Sequence, residues 1–524
     1  MQLTGQNIIA GKLSGNGSDQ FKAMNPSTLE YLPTIFYEAT NAEIEEAIVE
    51  AHNAFLIYGK QSGYAKAIFL DTIADEILNL GDDLINLCCS ETALPEGRII
   101  GERERTVNQL KLFASVLREG SWVDARIDNA NPDRKPMPKV DIRSMQRPLG
   151  AVGIFGASNF PLAFSVAGGD TASALASGCT VIVKGHPSHP GTCEMIAQAI
   201  QTAVEECNLP SGVFSLVQGQ STRVGMSIVN HSLIKAIGFT GSFNGGKAIF
   251  DAASKRLQPI PVYAEMGSTN PIFILPKALR RNGNEIAKGL TNSVTLGVGQ
   301  FCTNPGLVFL ENSEDFLNFK SHLIEEFSQV ESNSMLNLGI KKAFDNGIEH
   351  LKDNIDLIAH GQVKNSKTNA TAHIFETDAK RFIEEEVLEE EVFGPSTIAI
   401  TAKSKEDLLT AATKLNGHLT ATLFATEEDL QEYSDLIEIL EQKVGRLIIN
   451  NYPTGVEVCH SMVHGGPYPA TTDSRSTSVG TGAIIRFTRP FCFQNFPQFL
   501  LPDELKNDNP LQIFRIVDGI LSQH

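Results

Sequence analysis

Hydrophobic positions recur at helical spacing through the first part of the chain. The first predicted helix covers residues 41–58, and Asn41 is its expected N-cap. Its apolar face is formed by Ile44, Ala47, Ile48, Ala51 and Phe55. Similar patterns predict helices over residues 64–79, 81–93 and 95–119. We expect these helices to pack through their apolar faces.

From residue 150 onward, short apolar runs alternate with helical patterns. Strands are predicted at residues 150–155, 179–184, 213–217 and 233–239. Helices are predicted at residues 164–176, 193–207, 222–229 and 245–254. This alternation predicts a parallel α/β sheet with helices on both faces. Such sheets bind ligands beyond the carboxyl ends of their strands.

A second α/β region is predicted over about residues 260–460. Its expected strands are residues 271–275, 306–310, 396–400 and 447–449. The acidic run 384–391 is typical of a solvated face, yet it leads directly into Val392-Phe393-Gly394-Pro395. Residues 124–139 are polar and contain three prolines, which predicts a loop or an arm, and residues 140–147 alternate like a strand.

The bulk composition limits the class of protein. The chain has 524 residues, 42% of them hydrophobic and 20% charged, values typical of a globular protein with two or three domains. A net charge of −18 argues against a nucleic-acid partner or an anionic membrane surface. Its eight cysteines form no C-x-x-C pair and are expected to be reduced thiols. No leader-like N-terminus and no apolar stretch of membrane-spanning length are found, so we expect a cytoplasmic protein.

A cysteine and an upstream carboxylate carry the candidate chemistry. Cys302 lies in Gly299-Gln300-Phe301-Cys302-Thr303-Asn304-Pro305, and Glu265 stands 37 positions earlier, before Met266-Gly267. A thiol among small residues and a separate carboxylate are the groups needed to attack a carbonyl covalently and then hydrolyse the adduct. Each alone would be ordinary, because cysteines are often buried and glutamates are usually exposed.

The predicted strands of the first sheet end in polar or glycine-rich turns. Residues 150–155 lead into Ser158-Asn159-Phe160-Pro161, and Lys184 ends the next strand. Thr240-Gly241-Ser242 leads into the helix predicted at 245–254, whose first N–H groups could hold a phosphate. The turn lacks the G-x-G-x-x-G spacing, so on its own it is a weak signal.

Taken together, these motifs resemble the aldehyde dehydrogenase superfamily over about residues 5–490. The matching segments are Ser158-Asn159-Phe160-Pro161, Val183-Lys184, Phe239-Thr240-Gly241-Ser242, Glu265-Met266-Gly267, Gly299-Gln300-Phe301-Cys302-Thr303, Glu391-Val392-Phe393-Gly394-Pro395 and Asn450-Asn451-Tyr452. The resemblance implies an α/β fold of two Rossmann-like parallel α/β domains with a small β oligomerisation arm. The implied ranges are 1–120 and 148–262 for cofactor binding, 263–465 for catalysis, and 121–147 with 466–524 for the arm and C-terminal tail.

The resemblance also implies roles for the site residues. Cys302 would be the nucleophile, Asn159 would hold the oxyanion together with the Cys302 N–H, and Glu265 would activate the hydrolytic water. An aldehyde would thereby be oxidised to a carboxylic acid, and no metal ion is implied. The expected contacts of a nicotinamide dinucleotide are Lys184 at the adenosine ribose, Ser242 at the pyrophosphate, Glu391 and Phe393 at the nicotinamide ribose, and Gly241 with Thr240 where the cofactor approaches closely.

One departure from the family bears on the choice of cofactor. Many NAD-using relatives have an acid three residues after the strand-end lysine, where Pro187 stands here. The missing acid removes repulsion against a 2′-phosphate, so NADP is expected, with NAD also used. Lys184 and Arg223 are candidate cations for that phosphate, with His186, Ser188 or His189 as further candidates. The alternative is that Pro187 only reshapes the turn.

The C-terminal part of the chain narrows the choice of substrate class. Residues 453–460 and 462–480 are similar to α-ketoglutarate semialdehyde (2,5-dioxopentanoate) dehydrogenases and to NADP-dependent fatty aldehyde dehydrogenases. The keto acid aldehyde is the expected substrate, and a medium- or long-chain fatty aldehyde is the alternative. The possible carboxylate partners are Arg475, His460 and His464.

Two alternative functions and the oligomeric state remain to be considered. A catalytically silent binding or structural protein is disfavoured because Cys302, Glu265 and Asn159 are all present, and Glu265 disfavours a CoA-acylating enzyme. The aromatic run Phe491, Phe493, Phe496 and Phe499 suggests that the tail docks on a neighbouring subunit. A homodimer or homotetramer is therefore expected.

Overall fold

The computed structural model describes residues 2–364 and 366–523. The α-helices in this part of the chain are α1 (Asn41–Tyr58), α2 (Gly63–Asn79), α3 (Gly81–Thr92), α4 (Glu96–Glu119), α5 (Gly169–Ser177), α6 (Pro190–Glu206), α7 (Thr222–Asn230), α8 (Phe243–Ser254), α9 (Pro276–Thr295), α10 (Glu314–Ser328), α11 (Leu338–Asn354), α12 (Ala379–Glu384), α13 (Lys405–Lys414), α14 (Glu427–Glu432) and α15 (Ser434–Glu441).

The strands of the described residues form two seven-stranded sheets, one five-stranded sheet and two two-stranded sheets. They are β1 (Asn7–Ile9), β2 (Lys12–Ser14), β3 (Gln20–Phe21), β4 (Phe36–Tyr37), β5 (Arg126–Asp128), β6 (Ile142–Pro148), β7 (Ala151–Phe155), β8 (Thr180–Lys184), β9 (Phe214–Val217), β10 (Ile234–Thr240), β11 (Val262–Glu265), β12 (Ile272–Ile274), β13 (Leu307–Glu311), β14 (Asn333–Ser334), β15 (Asp356–His360), β16 (Asn369–Ala370), β17 (His373–Asp378), β18 (Ser396–Ala402), β19 (His418–Phe424), β20 (Val444–Ile449), β21 (Thr488–Gln494), β22 (Arg515–Val517) and β23 (Ile520–Ser522).

The first large sheet has the order β11-β10-β7-β8-β9-β1-β2. Strands β7 to β11 run parallel, and β1 and β2 complete one edge in antiparallel pairing. One face packs against a core that includes α2 to α6, and the other against α1, α7 and α8. The sequence predicted these strands from their apolar runs. Such runs are typical of parallel strands, which are buried on both faces of the sheet.

The second large sheet has the order β15-β17-β18-β13-β12-β19-β20. It is parallel except at β15, which pairs antiparallel with β17. Helices α9 and α10 cover one face, while α11, α12, α13 and α15 cover the other. Both large sheets thus have the doubly wound architecture that the resemblance implies, and the α/β fold is confirmed.

A five-stranded sheet, in the order β21-β6-β5-β22-β23, joins residues 126–148 to the C-terminal tail. Its buried core is small and includes Ile127, Met145 and Leu505. Residues 124–139, predicted as a loop or arm, contribute the short strand β5. No helix within the described residues is long and apolar enough to cross a membrane.

Two local predictions are wrong, each for a physical reason. The N-cap of α1 is Thr40 and not Asn41, because the Thr40 side chain and Glu43 form a reciprocal capping box. The predicted helix over 164–176 begins only at Gly169. Residues 161–168 instead form turns, and the buried Glu102 carboxylate accepts the N–H groups of Leu162 and Ala163 at 2.8 and 3.0 Å.

Candidate active site

A cavity of about 430 Å³ lies where residues from both large sheets meet. On one side it is lined by turns that follow β7 and β10 and by the end of β11. On the other side it is lined by the Cys302 loop and by the segment before β18. Seven of the nine predicted site residues line this cavity, namely Asn159, Gly241, Ser242, Glu265, Cys302, Glu391 and Phe393.

The loop that presents Cys302 is fixed by strained backbone and by one amide. Gly297, Val298 and Gly299 all have positive φ, of 54°, 59° and 65°. A Cβ at Gly299 would lie 2.2 Å from the Gly394 carbonyl carbon, so this position requires glycine. After the turn, the Asn270 side-chain amide donates to the carbonyl of Cys302 and to that of Asn304, each at 2.9 Å. The nucleophile therefore stands on a loop with little freedom to move.

Glu265 ends β11, the outermost parallel strand of the first sheet, and its side chain is 4% exposed. Ser478 Oγ donates to Glu265 Oε2 at 2.7 Å, and His464 Nε2 lies 3.0 Å from Oε1. Both partners come from the segment after β20, which returns across the end of β11 through a bridge between Glu265 and Thr471. The C-terminal segment thus completes the carboxylate site.

His464 lies between the carboxylate and the thiol. Its Nε2 is 3.0 Å from Glu265 Oε1 and 3.5 Å from Cys302 Sγ, and its side chain is 1% exposed. In the neutral and the cationic imidazole alike, the hydrogen bond to a carboxylate assigns a proton to Nε2. His464 therefore donates a hydrogen bond to Glu265, and its Nε2 atom also faces the Cys302 sulfur. Glu265 is then the group that can accept the proton of the thiol.

The two reacting groups have opposite electrostatic settings. Burial raises the pKa of the Cys302 thiol well above its usual range, and the nearby charge of Glu265 adds to the effect while Arg105 opposes it. Burial alone would also raise the pKa of Glu265, but its interaction with His464 and the hydrogen bond from Ser478 lower it overall. A neutral thiol therefore stands beside an ionised carboxylate, which is the pairing needed for general-base activation.

Asn159 lies next to this pair, at the turn after β7. The Asn159 side-chain amide donates to the Gln300 carbonyl at 3.1 Å, and the Arg98 side chain donates to the backbone carbonyl of Asn159 at 2.6 Å. A primary amide has two N–H donors, so one remains for a ligand. The backbone N–H of Cys302 has no acceptor among residues 2–364 and 366–523.

Other residues on the cavity wall are suited to a nucleotide. Ser242 is the N-cap of α8, and its hydroxyl accepts the Gly245 N–H, so the first turn of the helix faces the cavity behind Gly241. Burial raises the pKa of Glu391 to about 8, against a backbone hydrogen bond from Ser268 that lowers it. No cation of the described chain lies within ion-pair distance of Glu391, so its carboxyl is available for hydroxyl groups.

Two predicted cofactor residues lie outside the cavity wall. Lys184 ends β8, where burial lowers its pKa to about 8 against the charges of Cys193 and Glu38. Arg223, on α7, donates to Glu38 Oε1 at 3.0 Å, to the Ala39 carbonyl at 2.7 Å and to Asn41 Oδ1 at 2.9 Å. The guanidinium of Arg223 is thus occupied by partners within the protein, which argues against a role at a 2′-phosphate.

The three candidate partners for the substrate carboxylate lie in different places relative to the site. The Arg475 side chain is 90% exposed and pairs with Asp473, and His460 is exposed. His464 is the member of that group that reaches the site, and it does so as the neighbour of Glu265 and Cys302. The ligating atoms of these three residues lie within 4.8 Å of one another, a set with the chemistry to bind zinc, so the absence of a metal stays a prediction.

Sequence reasoning missed the structural supports of the site. Asn270 stood within the motif Thr269-Asn270-Pro271, but nothing in the local pattern showed that its amide would hold the Cys302 loop. Ser478 and His464 reach Glu265 across more than 190 positions of chain. The sequence indicated His464 as a possible partner of the substrate carboxylate, and nothing in the local pattern paired it with Glu265.

Comparisons with known proteins agree on one family. Residues 13–475 match the sequence profile of the aldehyde dehydrogenase family. The chain is 46% identical over 522 residues to "Alpha-ketoglutaric semialdehyde dehydrogenase 2" of Azospirillum brasilense, covering 99% of each chain. It is 45% identical over 525 residues to "Alpha-ketoglutaric semialdehyde dehydrogenase" of Acinetobacter baylyi, again covering 99% of each. A betaine aldehyde dehydrogenase of Staphylococcus aureus in complex with NAD+ has the same fold, with a TM-score of 0.80, 18% identity, and 95% of this chain and 99% of that one covered.

Proposed function

The chain belongs to the aldehyde dehydrogenase family, and on that premise we propose that it oxidises 2,5-dioxopentanoate to 2-oxoglutarate with a nicotinamide cofactor. The observation that carries the reaction type is the placement of Glu265 and Cys302 on the wall of one cavity, with His464 Nε2 3.0 Å from Glu265 Oε1 and 3.5 Å from Cys302 Sγ. The observation that favours the substrate is the identity of 45–46%, over almost the whole chain, to two relatives named for that semialdehyde.

The first chemical step uses Cys302 and Glu265. The sulfur forms a bond to the aldehyde carbon while the thiol proton passes to the Glu265 carboxylate, because the thiol is neutral at rest and the carboxylate is ionised. The aldehyde oxygen becomes an alkoxide that receives hydrogen bonds from the Asn159 amide and the Cys302 backbone N–H. Donors of this kind are each worth about 3 kcal/mol in the transition state.

The second step uses Glu265 again. A nicotinamide bound in this cavity would accept the hydride from the substrate carbon, which would leave the substrate as a thioester on Cys302. Glu265, once it has lost its proton to solvent, takes a proton from water as the water attacks the thioester. That proton then passes to the sulfur, which leaves as the thiol of Cys302, and the carboxylic acid product loses its own proton to solvent to become a carboxylate. Throughout, His464 and Ser478 hold the carboxylate in one orientation.

The turn before α8 and the Glu391 carboxyl fit a dinucleotide. The first turn of α8 offers backbone N–H groups to a pyrophosphate, as helix N-termini do. A Cβ at Gly241 would lie 2.7 Å from the Phe239 ring, so glycine there keeps the turn against the strand. Glu391 has no cation partner in the described chain, and its oxygens can accept hydrogen bonds from ribose hydroxyls.

NADP is the proposed cofactor, with NAD as a second acceptor. Glu265 and Glu391 are the acids on the cavity wall, and neither stands after β8, where Pro187 occupies the turn. Lys184 remains the cation nearest this turn. Changing Pro187→Glu should shift the ratio of Kd values toward NAD by about tenfold or more, measured by cofactor fluorescence. Arg223→Met, which removes a guanidinium bound to Glu38, should leave that ratio unchanged.

We propose a homo-oligomer, because the five-stranded sheet and the segment that follows β21 expose large apolar side chains. Phe499 is 80% exposed, and Ile520 and Leu521 are 70% and 68% exposed. Light scattering on the purified protein would decide between a monomer and a dimer or tetramer.

One assay tests the proposed reaction and its substrate. NADPH and NADH formation would be followed with 2,5-dioxopentanoate, decanal and propanal, each with NADP and with NAD. A kcat/KM for the keto acid above that for decanal supports the proposal. The reverse order would replace it by a fatty aldehyde dehydrogenase, and no turnover with any aldehyde would overturn it.

A further inference from the structure

Helix α4 carries two arginines that stack on aromatic rings beside the nucleophile. The guanidinium carbon of Arg98 lies 4.9 Å from the centre of the Phe160 ring and 4.7 Å from that of Phe301. The guanidinium carbon of Arg105 lies 5.8 Å from the centre of the Phe160 ring and 5.3 Å from that of Phe164. Phe301 directly precedes Cys302, and Phe160 directly follows Asn159, so both cations lie against rings that neighbour the reacting residues.

The two arginines differ in how their donors are used. Arg98 donates to the Asn159 carbonyl and so supports the backbone of the oxyanion residue. Arg105 makes no hydrogen bond and no salt bridge to any residue in the ranges 2–364 and 366–523. Its Nε and Nη2 atoms are enclosed without an acceptor. Five N–H donors without a single partner are costly in a largely buried position, and such a group is poised to bind an anion.

The acid nearest to Arg105 does not neutralise this cluster. Glu102 is buried on the same helix, and its Oε1 atom accepts the N–H groups of Leu162 and Ala163. It forms no salt bridge of 4.0 Å or less with Arg98 or Arg105 in the described chain. Glu265 and Glu457 also act on Arg105 electrostatically, but no carboxylate in the described chain forms a salt bridge with its guanidinium, which keeps its N–H groups without an acceptor.

The side chains of Phe164 and His464 connect Arg105 to the nucleophile by successive contacts. The Phe164 ring, on which Arg105 stacks, lies 6.2 Å from the His464 ring, and His464 Nε2 is 3.5 Å from Cys302 Sγ. The guanidinium also acts on the sulfur electrostatically, since it lowers the pKa of the Cys302 thiol against the larger effect of burial. A five-carbon semialdehyde acid places its carboxylate carbon about 5 Å from its aldehyde carbon, so its two ends contact neighbouring groups.

We propose that Arg105 is the subsite for the substrate carboxylate, so that the enzyme selects short aldehydes with an acidic group at the far end. The stacked rings of Phe160 and Phe164 hold the guanidinium flat, and its free N–H groups then receive the two carboxylate oxygens. The proposal rests on the oxidation of an aldehyde at Cys302 and replaces the expectation that Arg475 or His460 binds the carboxylate.

The test compares an acidic and a neutral aldehyde of equal length in three variants. The measured quantity is the ratio of kcat/KM for 2,5-dioxopentanoate to that for pentanal. Arg105→Met should lower this ratio by about 100-fold, since a charge-assisted pair is lost, and Arg105→Lys should recover part of it. Arg489→Met is the matched control, because Arg489 also stacks on a ring, that of Phe491, but lies on the arm sheet.

An equal loss for both aldehydes would make Arg105 a structural residue, and an unchanged ratio would show that the carboxylate binds elsewhere. Either result overturns the subsite. Arg475→Met should leave the ratio unchanged. A fall there as large as that expected for Arg105→Met would instead return the subsite to Arg475.

A separate measurement keeps this proposal distinct from the choice of substrate. Glutarate, a dicarboxylate that cannot be oxidised, should inhibit the turnover of decanal competitively in the wild type and about 100-fold more weakly in Arg105→Met. If decanal is the better substrate but glutarate behaves in this way, the substrate assignment fails and the subsite stands. If glutarate inhibits both proteins equally, the subsite fails whatever the preferred aldehyde is.

Discussion

Two carboxyl groups on the wall of one cavity show how partners decide the charge of a buried acid. Glu265 and Glu391 both line the cavity, and burial raises the pKa of both. At Glu265, His464 and Ser478 overcome that effect, and the pKa falls below its ordinary value. At Glu391 only a backbone N–H opposes burial, and the pKa rises to about 8. Burial alone therefore does not set the role of either group, and hydrogen-bond donors do.

The largest expected effect comes from replacing Cys302, the thiol that Glu265 deprotonates. Cys302→Ala should abolish aldehyde oxidation, with a loss of at least about 10⁴-fold in kcat, because Cys302 is the only thiol among the described residues that line the cavity. Stopped-flow measurement of NADPH formation should show neither a burst nor a steady rate. Cofactor binding should persist in this variant, and oxidation that survives the substitution would contradict the covalent route.

The comparison itself is tested by making the same substitution at both acids. Glu265→Gln should lower steady-state kcat by about 10²- to 10⁴-fold, since it removes the base for the hydrolytic water. The acyl group should then accumulate on Cys302, visible as added mass in the intact protein. Glu391→Gln is the matched control, and an equal acyl accumulation there would remove the distinction between the two carboxyl groups.

Removing the donor should make Glu265 resemble Glu391. His464→Phe keeps a ring at this position but leaves Glu265 Oε1 without its partner, so burial then raises the pKa of Glu265. The acidic limb of the pH profile of kcat should move to higher pH, with a loss of about tenfold at neutral pH that is recovered as the pH rises. His464→Gln, which supplies an amide donor, should move the limb back. An unshifted limb in His464→Phe would show that His464 does not hold the charge of Glu265.

The smallest effect concerns stability and has the opposite sign at the two acids. The pKa of Glu391 is raised in the folded protein, so its contribution to stability is present at acidic pH and is lost as the pH rises from its unfolded value toward about 8. Glu391→Gln should therefore stabilise the protein by about 1 kcal/mol at pH 8, and by less at pH 4, in denaturant titrations. At Glu265 the folded pKa is lowered, so Glu265→Gln should destabilise the protein at neutral pH and less so under acid.

The sequence predicted the parts of this site that local pattern controls. Strands β7, β8 and β10 are apolar runs, and the polar residues that end or follow them were enough to indicate Asn159, Lys184 and Ser242. The resemblance to a family then joined these turns to Glu265 and Cys302. The local pattern could not show contacts between distant parts of the chain. The Glu102 carboxylate binds the N–H of Leu162 in the turns that precede α5, and Glu38 accepts a hydrogen bond from Arg223. The orientation of Glu265 depends on His464, 199 positions away, and no window of sequence contains both.

The raised pKa of Cys302 has a consequence for how long the enzyme survives between turnovers. Peroxide and alkylating agents react with thiolates and hardly at all with thiols. A nucleophile that stays protonated until Glu265 takes its proton is therefore shielded from oxidation and alkylation while the enzyme is idle. The proton on the sulfur thus protects an enzyme whose natural substrates are themselves reactive electrophiles.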